Sequence, residues 1–199
     1  DEKKRKMADF DKKVLEDHFD EHPTLDDELA RAGKDDFRGR VAAPNESINT
    51  AFIRQHGPYG NGTPALNAGD FLDDEVFLYA FGDDLVSARV PFSRQLIDQY
   101  RKTPGLILGV QEVPTDSVPR YGMVEIASDN RVTRMVEKPA RSEVSSTLVG
   151  FGRYLLPRAV VDILREQPTA KGSELWLTDA INTYMERGGA VYACPVQDG

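Results

Sequence analysis

Glu75-Val76-Phe77-Leu78-Tyr79-Ala80-Phe81-Gly82-Asp83-Asp84 passes abruptly from an apolar run to two adjacent carboxylates. Val76 to Phe81 shows no alternation of polar and apolar residues, so it is expected to form a strand covered on both faces inside an α/β sheet. Gly82 frees the backbone to turn. In open α/β sheets ligands collect beyond the carboxyl ends of the strands, so Asp83 and Asp84 stand where a metal or a polar substrate would be met. Aspartate is also a common turn residue, and from this segment alone a plain loop start stands beside that reading.

Downstream, residues 91–102 carry Phe92, Leu96, Ile97 and Tyr100 on one helical face. Residues 106–113 read as the next strand, and Tyr121 to Ile126 with Val132 to Val136 as a hairpin. Residues 148–156 and 190–195 predict further strands, with helices over 157–166 and 177–187. Upstream, residues 56–64 hold Gly57, Gly60, Gly62, Pro58 and Pro64, which break regular structure and let backbone approach a ligand closely. Pro64 suits the first turn of a helix running to about Phe71. Ile48 to Ile53 reads as a short strand and residues 34–46 as loop or short helix. Thr24 is expected to cap a helix that ends at Gly33. Met7, Phe10, Val14, Leu15 and Phe19 recur at helical spacing and predict a first helix ending before His22-Pro23. Helices alternating with strands, interrupted by one hairpin, predict one mainly parallel, layered α/β domain over residues 1–199.

Composition narrows the function classes. A net charge of −8 opposes nonspecific attraction to nucleic acid or anionic lipid. No apolar run reaches membrane-spanning length, and the charged first six residues are not followed by a signal-peptide apolar stretch. A cytoplasmic protein with neither nucleic acid nor membrane as partner is expected. The single cysteine, Cys194, excludes an internal disulfide and a cysteine-cluster metal site, and reads as a small buried apolar residue. His18, His22 and His56 lack the spacing of a zinc-binding helix.

Four places ask for a ligand. Gln55, ahead of the glycine-rich loop, offers an amide able to read the edge of a nucleobase. Asp83 could hold magnesium, which takes one or two protein carboxylates and leaves its remaining positions to phosphates and water. Gly122, inside a strand pattern, marks close approach by a ligand or a bulge. Glu137-Lys138 joins an acceptor for sugar hydroxyls to a compact cation suited to a phosphate. Against these stand a surface loop, a turn, a bulge and a solvated ion pair.

Taken in order, Arg54-Gln55, Gly60-Asn61-Gly62-Thr63, Phe81-Gly82-Asp83, Tyr121-Gly122-Met123-Val124, Val136-Glu137-Lys138-Pro139, Gly152-Arg153-Tyr154 and Leu177-Thr178-Asp179-Ala180 resemble the successive landmarks of sugar-nucleotide pyrophosphorylases. Within that family the resemblance is to the bacterial UTP:glucose-1-phosphate uridylyltransferases. It implies a three-layer Rossmann-like fold. The implied reaction is attack by a sugar 1-phosphate on the α-phosphorus of UTP, giving UDP-glucose and pyrophosphate with Mg2+. Carried over residue by residue, Gln55 with the backbone of Gly60 to Gly62 would meet the base, and Asp83 would bind the metal. Gly122 and Glu137 would meet the hexose, Lys138 its phosphate, and Gly150 a sugar hydroxyl through its backbone. Thr178 and Asp179 would cap the last helix, Trp176 would lie in the core, and Glu174 has no assignment. A homo-oligomer is implied as well.

The match has gaps. The family's opening strand and Gly-x-Gly-Thr-Arg loop, with its following lysine, have no counterpart in the 199 residues. A second metal-binding aspartate is expected near Asp198, or just beyond it. Gly60-Asn61-Gly62-Thr63-Pro64 departs from the usual Gly-Leu-Gly-His-Ala. The sequence is therefore expected to be a fragment of a longer protein, inactive alone and with an unpaired sheet edge. The same reaction with dTTP, CTP or GTP, and a noncatalytic sugar-nucleotide-binding module, remain as alternatives.

Overall fold

The computed structural model describes residues 16–167 and 174–199, so most of the first expected helix lies outside the described residues. Two compact units emerge, residues 1–54 and 55–199.

In the first unit, helix α1 (Pro23–Arg31) starts with proline in its first turn, where a missing amide hydrogen costs nothing. Thr24 therefore lies inside the helix and makes no cap. Gly33, at φ +65°, takes the left-handed conformation that ends a helix, as expected. Residues 34–46, left open between loop and helix, fall almost wholly within α2 (Asp35–Ser47). Arg38 grips Asp26 through two hydrogen bonds of 2.6 and 2.8 Å, which ties α2 to α1 and lowers the Asp26 pKa. Ile48 to Ile53 forms no strand, and Ile48, Phe52 and Ile53 are exposed. Apolar character cannot hold a strand without a neighbour to complete its ladder.

The second unit runs α3 (Gly62–Ala68), a 3-10 turn over Gly69–Phe71, β1 (Val76–Ala80), α4 (Phe92–Lys102) and β2 (Leu106–Glu112). It continues with β3 (Gly122–Ile126), β4 (Val132–Glu137), β5 (Leu148–Pro157), α5 (Ala159–Glu166), α6 (Leu177–Glu186) and β6 (Val191–Pro195). The sheet order is β4-β3-β5-β2-β6, with β1 also on β5. Among the described strands, β2 and β6 alone pair in parallel; β1, β2 and β3 all run antiparallel to β5. The mixed α/β class holds, but the pairing is mostly antiparallel and not mainly parallel, because β5 runs opposite to all three strands it pairs with.

Helices cover both faces. Leu106, Leu108 and Val110 of β2 pack with Val160 and Leu164 of α5 and Ala180 and Ile181 of α6. Ile107 turns the other way, onto Phe92 and Leu96 of α4. Complete burial of side chains of this size contributes about 1.5–3 kcal/mol each, so β2 anchors the layers. The fully covered strand is thus β2. Strand β1, expected in that role, has a partner only in β5 among the described residues, and Leu78 is 40% exposed.

Candidate active site

The site follows from how β5 shares its flank. On one side β2 accompanies β5 over most of its length. On the other, β3 pairs at Met123 with Val149, while β1 pairs from Ala80 with Arg153 onward. Strands β3 and β1 therefore meet nearly end to end. The carboxyl end of β1 and the start of β3 open onto residues 150–152, and this break gathers the chemistry.

At the β1 end the two aspartates divide. Asp84 accepts a hydrogen bond from the Gly152 amide at 3.0 Å, and the Phe81 amide donates to the Gly152 carbonyl at 2.9 Å. Asp84 is thereby a structural clasp. Asp83 is exposed, and its carboxylate makes no hydrogen bond or ion pair among the described residues. No cluster of three metal-ligating side chains occurs among the described residues. One exposed, unbonded carboxylate suits magnesium, which commonly takes only one or two carboxylates from protein. Asp198 follows β6, and β6 shares direction with β1 and β2, so both aspartates stand at the same end of the sheet. Its carboxylate is paired with Arg89 at 3.0 Å.

At the β3 end, Gly122 pairs across the ladder with Glu137. A Cβ on Gly122 would lie 3.3 Å from Glu137 Oε2, so the glycine leaves room for the carboxylate to lie over the strand. Thr178 Oγ1 donates to the same oxygen at 2.8 Å. Thr178 is 4% exposed and makes no helix cap. The amide of Leu177 is instead bound by Asn61 Oδ1 at 2.8 Å, across from the glycine-rich loop. The cap expected from Thr178 is absent because its hydroxyl is committed to Glu137.

Tyr154 closes the floor. Its ring stacks edge-on against Phe81, which stacks edge-on against Tyr79. A Cβ on Gly150 would come within 2.6 Å of the Tyr154 hydroxyl, so this glycine is required by the tyrosine. Burial, then the charges of Glu137 and Asp84, raise the Tyr154 pKa far above the usual phenol value. The Tyr154 hydroxyl is thus neutral, and it makes no hydrogen bond among the described residues. Burial also pushes Tyr79 up to about 12, and its hydroxyl donates to the Asn61 carbonyl at 2.7 Å.

Lys138 adopts φ +45°, rare for a residue with a side chain and rarer before proline. Its amide donates to Tyr121 O at 3.0 Å, and Pro139 behind it is buried. Its ammonium lies 4.8 Å from the centre of the Trp176 ring. Glu137, Lys138, Trp176, Asp179 and Asn182 line a groove of about 670 Å³. Trp176 is half-buried, lines this groove and belongs to none of the hydrophobic clusters among the described residues, so it does not take the core position expected of it.

The remaining expected residues lie apart from this cluster. Gln55 is exposed and makes no hydrogen bond among the described residues. Gly62 is buried and its amide donates to Leu175 O at 2.9 Å; Gly60 is pressed against the Leu175 backbone. Glu174 forms a parallel bridge with Tyr59. Sequence reasoning overlooked Asn61, Tyr154, Thr178 and Trp176 as site residues, although all four lie in the quoted motifs or beside them.

The acidic end of β1 and the Glu137 end of β4 thus lie on either side of the break in the sheet. The nucleotidyl transferase family model matches residues 7–199, and the chain belongs to that family. It is 38% identical over 179 residues to the UTP–glucose-1-phosphate uridylyltransferase of Bacillus subtilis (strain 168), covering 88% of this chain and 61% of the relative. The enzyme of that name from Staphylococcus haemolyticus (strain JCSC1435) is 36% identical over 186 residues, covering 92% and 64%. The chain thus spans under two thirds of these curated relatives. A UDP-glucose pyrophosphorylase solved with UDP-glucose superposes with a TM-score of 0.77 at 28% identity, covering 92% of this chain and 69% of that one. A UTP-bound UGPase from Acinetobacter baumannii gives 0.80 at 26% identity, covering 94% and 66%. No helix among the described residues is long and apolar enough to cross a membrane.

Proposed function

We propose that the protein carrying this sequence makes UDP-glucose and pyrophosphate from UTP and glucose 1-phosphate with Mg2+. The observation that carries the reading is Glu137 held over Gly122 by Thr178, with Lys138 next to it and Asp83 across the break in the sheet. Glu137 accepts from the sugar hydroxyls with its remaining lone pairs. Lys138 neutralises the sugar phosphate, whose oxygen forms a new bond to the α-phosphorus while the bond to the bridging oxygen of pyrophosphate breaks. Asp83 holds magnesium, which when bound neutralises charge on the triphosphate. Such transfer depends on positioning and charge neutralisation, so a carboxylate and a lysine are sufficient tools from this part of the chain. The choice of UTP and glucose rests on what the relatives are named for.

Pyrophosphate release tests the reading. It should require UTP, glucose 1-phosphate and magnesium together, and run more slowly with dTTP, CTP or GTP. UDP-glucose binding without turnover would instead favour a binding module.

Two substitutions probe the acceptor side. Lys138→Ala should raise the KM for glucose 1-phosphate by roughly 10- to 100-fold, as for a lost charge-assisted contact, while the KM for UTP moves far less. Equal changes in both would count against the assignment. Thr178→Val, nearly isosteric, removes one hydrogen bond to a charged acceptor and should raise the same KM about 10-fold. Unaltered kinetics would mean that Glu137 needs no such support.

A further inference from the structure

We propose that Trp176 is a positioning residue that seats the Lys138 ammonium between turnovers, keeping it available to the sugar phosphate. The inference rests on the reading of Lys138 as the phosphate ligand. The groove around the ammonium includes the carboxylates of Glu137, Asp179 and Glu186, yet Lys138 makes no ion pair among the described residues. It lies over the indole instead, 4.8 Å from the ring centre.

Backbone geometry makes that placement definite. The left-handed turn at Lys138 is held by Tyr121 O and followed by buried Pro139. Outliers of this kind persist only where their surroundings hold them, and they gather at functional sites. The seat is equally braced. Trp176 lies between buried Leu175 and Leu177, whose amides are bound by Tyr59 O and Asn61 Oδ1. Trp176 O accepts from Gln167 Nε2 at 3.4 Å.

The chemistry explains why an aromatic face serves better than a carboxylate. An ion pair with Glu137 would occupy the oxygen needed by the sugar and hold the lysine back from its phosphate. A cation–π contact at a half-exposed ring is weaker than a charge-assisted bond to phosphate, so the incoming ligand can draw the ammonium off. Binding of sugar phosphate should therefore move a positive charge away from the indole. Trp176 is the single tryptophan in the sequence, so it reports this directly.

The test follows tryptophan emission of the protein carrying this sequence during titration with glucose 1-phosphate, with calorimetry measuring binding independently. Trp176→Phe supplies the background from any other tryptophan. Saturation should shift the wild-type emission, and Lys138→Ala should abolish the shift. Trp176→Leu should raise the KM for glucose 1-phosphate about 5-fold with kcat and the KM for UTP within about twofold, and Trp176→Phe should restore most of the loss. Calorimetric binding with unchanged emission overturns the proposal, as do equal kinetics for Phe and Leu at position 176. Should Trp176→Leu fail to fold, the wild-type emission still decides. If calorimetry finds no binding of glucose 1-phosphate, the reading of Lys138 fails and this inference with it.

Discussion

Replacing Asp83 with asparagine should lower magnesium-dependent pyrophosphate release by about 100- to 1,000-fold, the range seen when one electrostatic contact to developing charge is removed. The fold should be indifferent to the change. The side chain is exposed and bonded to nothing among the described residues, so stability by denaturant titration should stay within about 0.5 kcal/mol of wild type. Asp84→Ala supplies the contrast. It removes the clasp on the Gly152 amide and should cost about 1 kcal/mol of stability. If Asp83→Asn retained full turnover, the metal would have to be held elsewhere.

Gly60→Ala should be the most destabilising single methyl added to the glycine-rich loop. Gly60 sits at φ +124°, and a Cβ there would fall 2.2 Å from Leu175 O, a backbone atom that cannot rotate aside. Backbone strain costs about 1–3 kcal/mol and forced displacement adds to it, so a total near 3–4 kcal/mol is expected from chemical unfolding. Gly57 separates the two contributions. At φ +101° with nothing within 4 Å of the added carbon, Gly57→Ala should show the strain alone, about 1–2 kcal/mol. Similar losses at both positions would mean that the Leu175 contact gives way. Gly60→Ala should also disturb the start of α6, because Gly62 and Tyr59 bind Leu175 and Asn61 binds Leu177.

The glycine-rich loop was legible as a place of close backbone approach, but what approaches was not. The resemblance gives this loop to a nucleobase; the tertiary structure adds Leu175 and Leu164, packed close against Gly60 and Gly62. A glycine records that space is tight without recording its neighbour. Thr178 shows the same limit. Threonine at a helix start reads as a cap, and its hydroxyl was claimed by Glu137, 41 residues earlier in the chain. No local pattern encodes such a pairing. The helices from Phe92 and Leu177 were plain because an apolar stripe at helical spacing is a local property.

By itself the sequence determined which segments of residues 55–199 become helices or strands, and it placed Asp83 at a strand end and Glu137-Lys138 at another. Periodicity and turn chemistry are carried by neighbours along the chain, which is why those readings held. Strand direction and the meeting of β1 with β3 on β5 were decided only by tertiary structure. An apolar run is equally content against a parallel or an antiparallel partner, and only ladder hydrogen bonds between distant residues choose between them. That choice sets the carboxyl end of β1, which leads to Asp83, across a break in the sheet from the start of β3, where Gly122 pairs with Glu137.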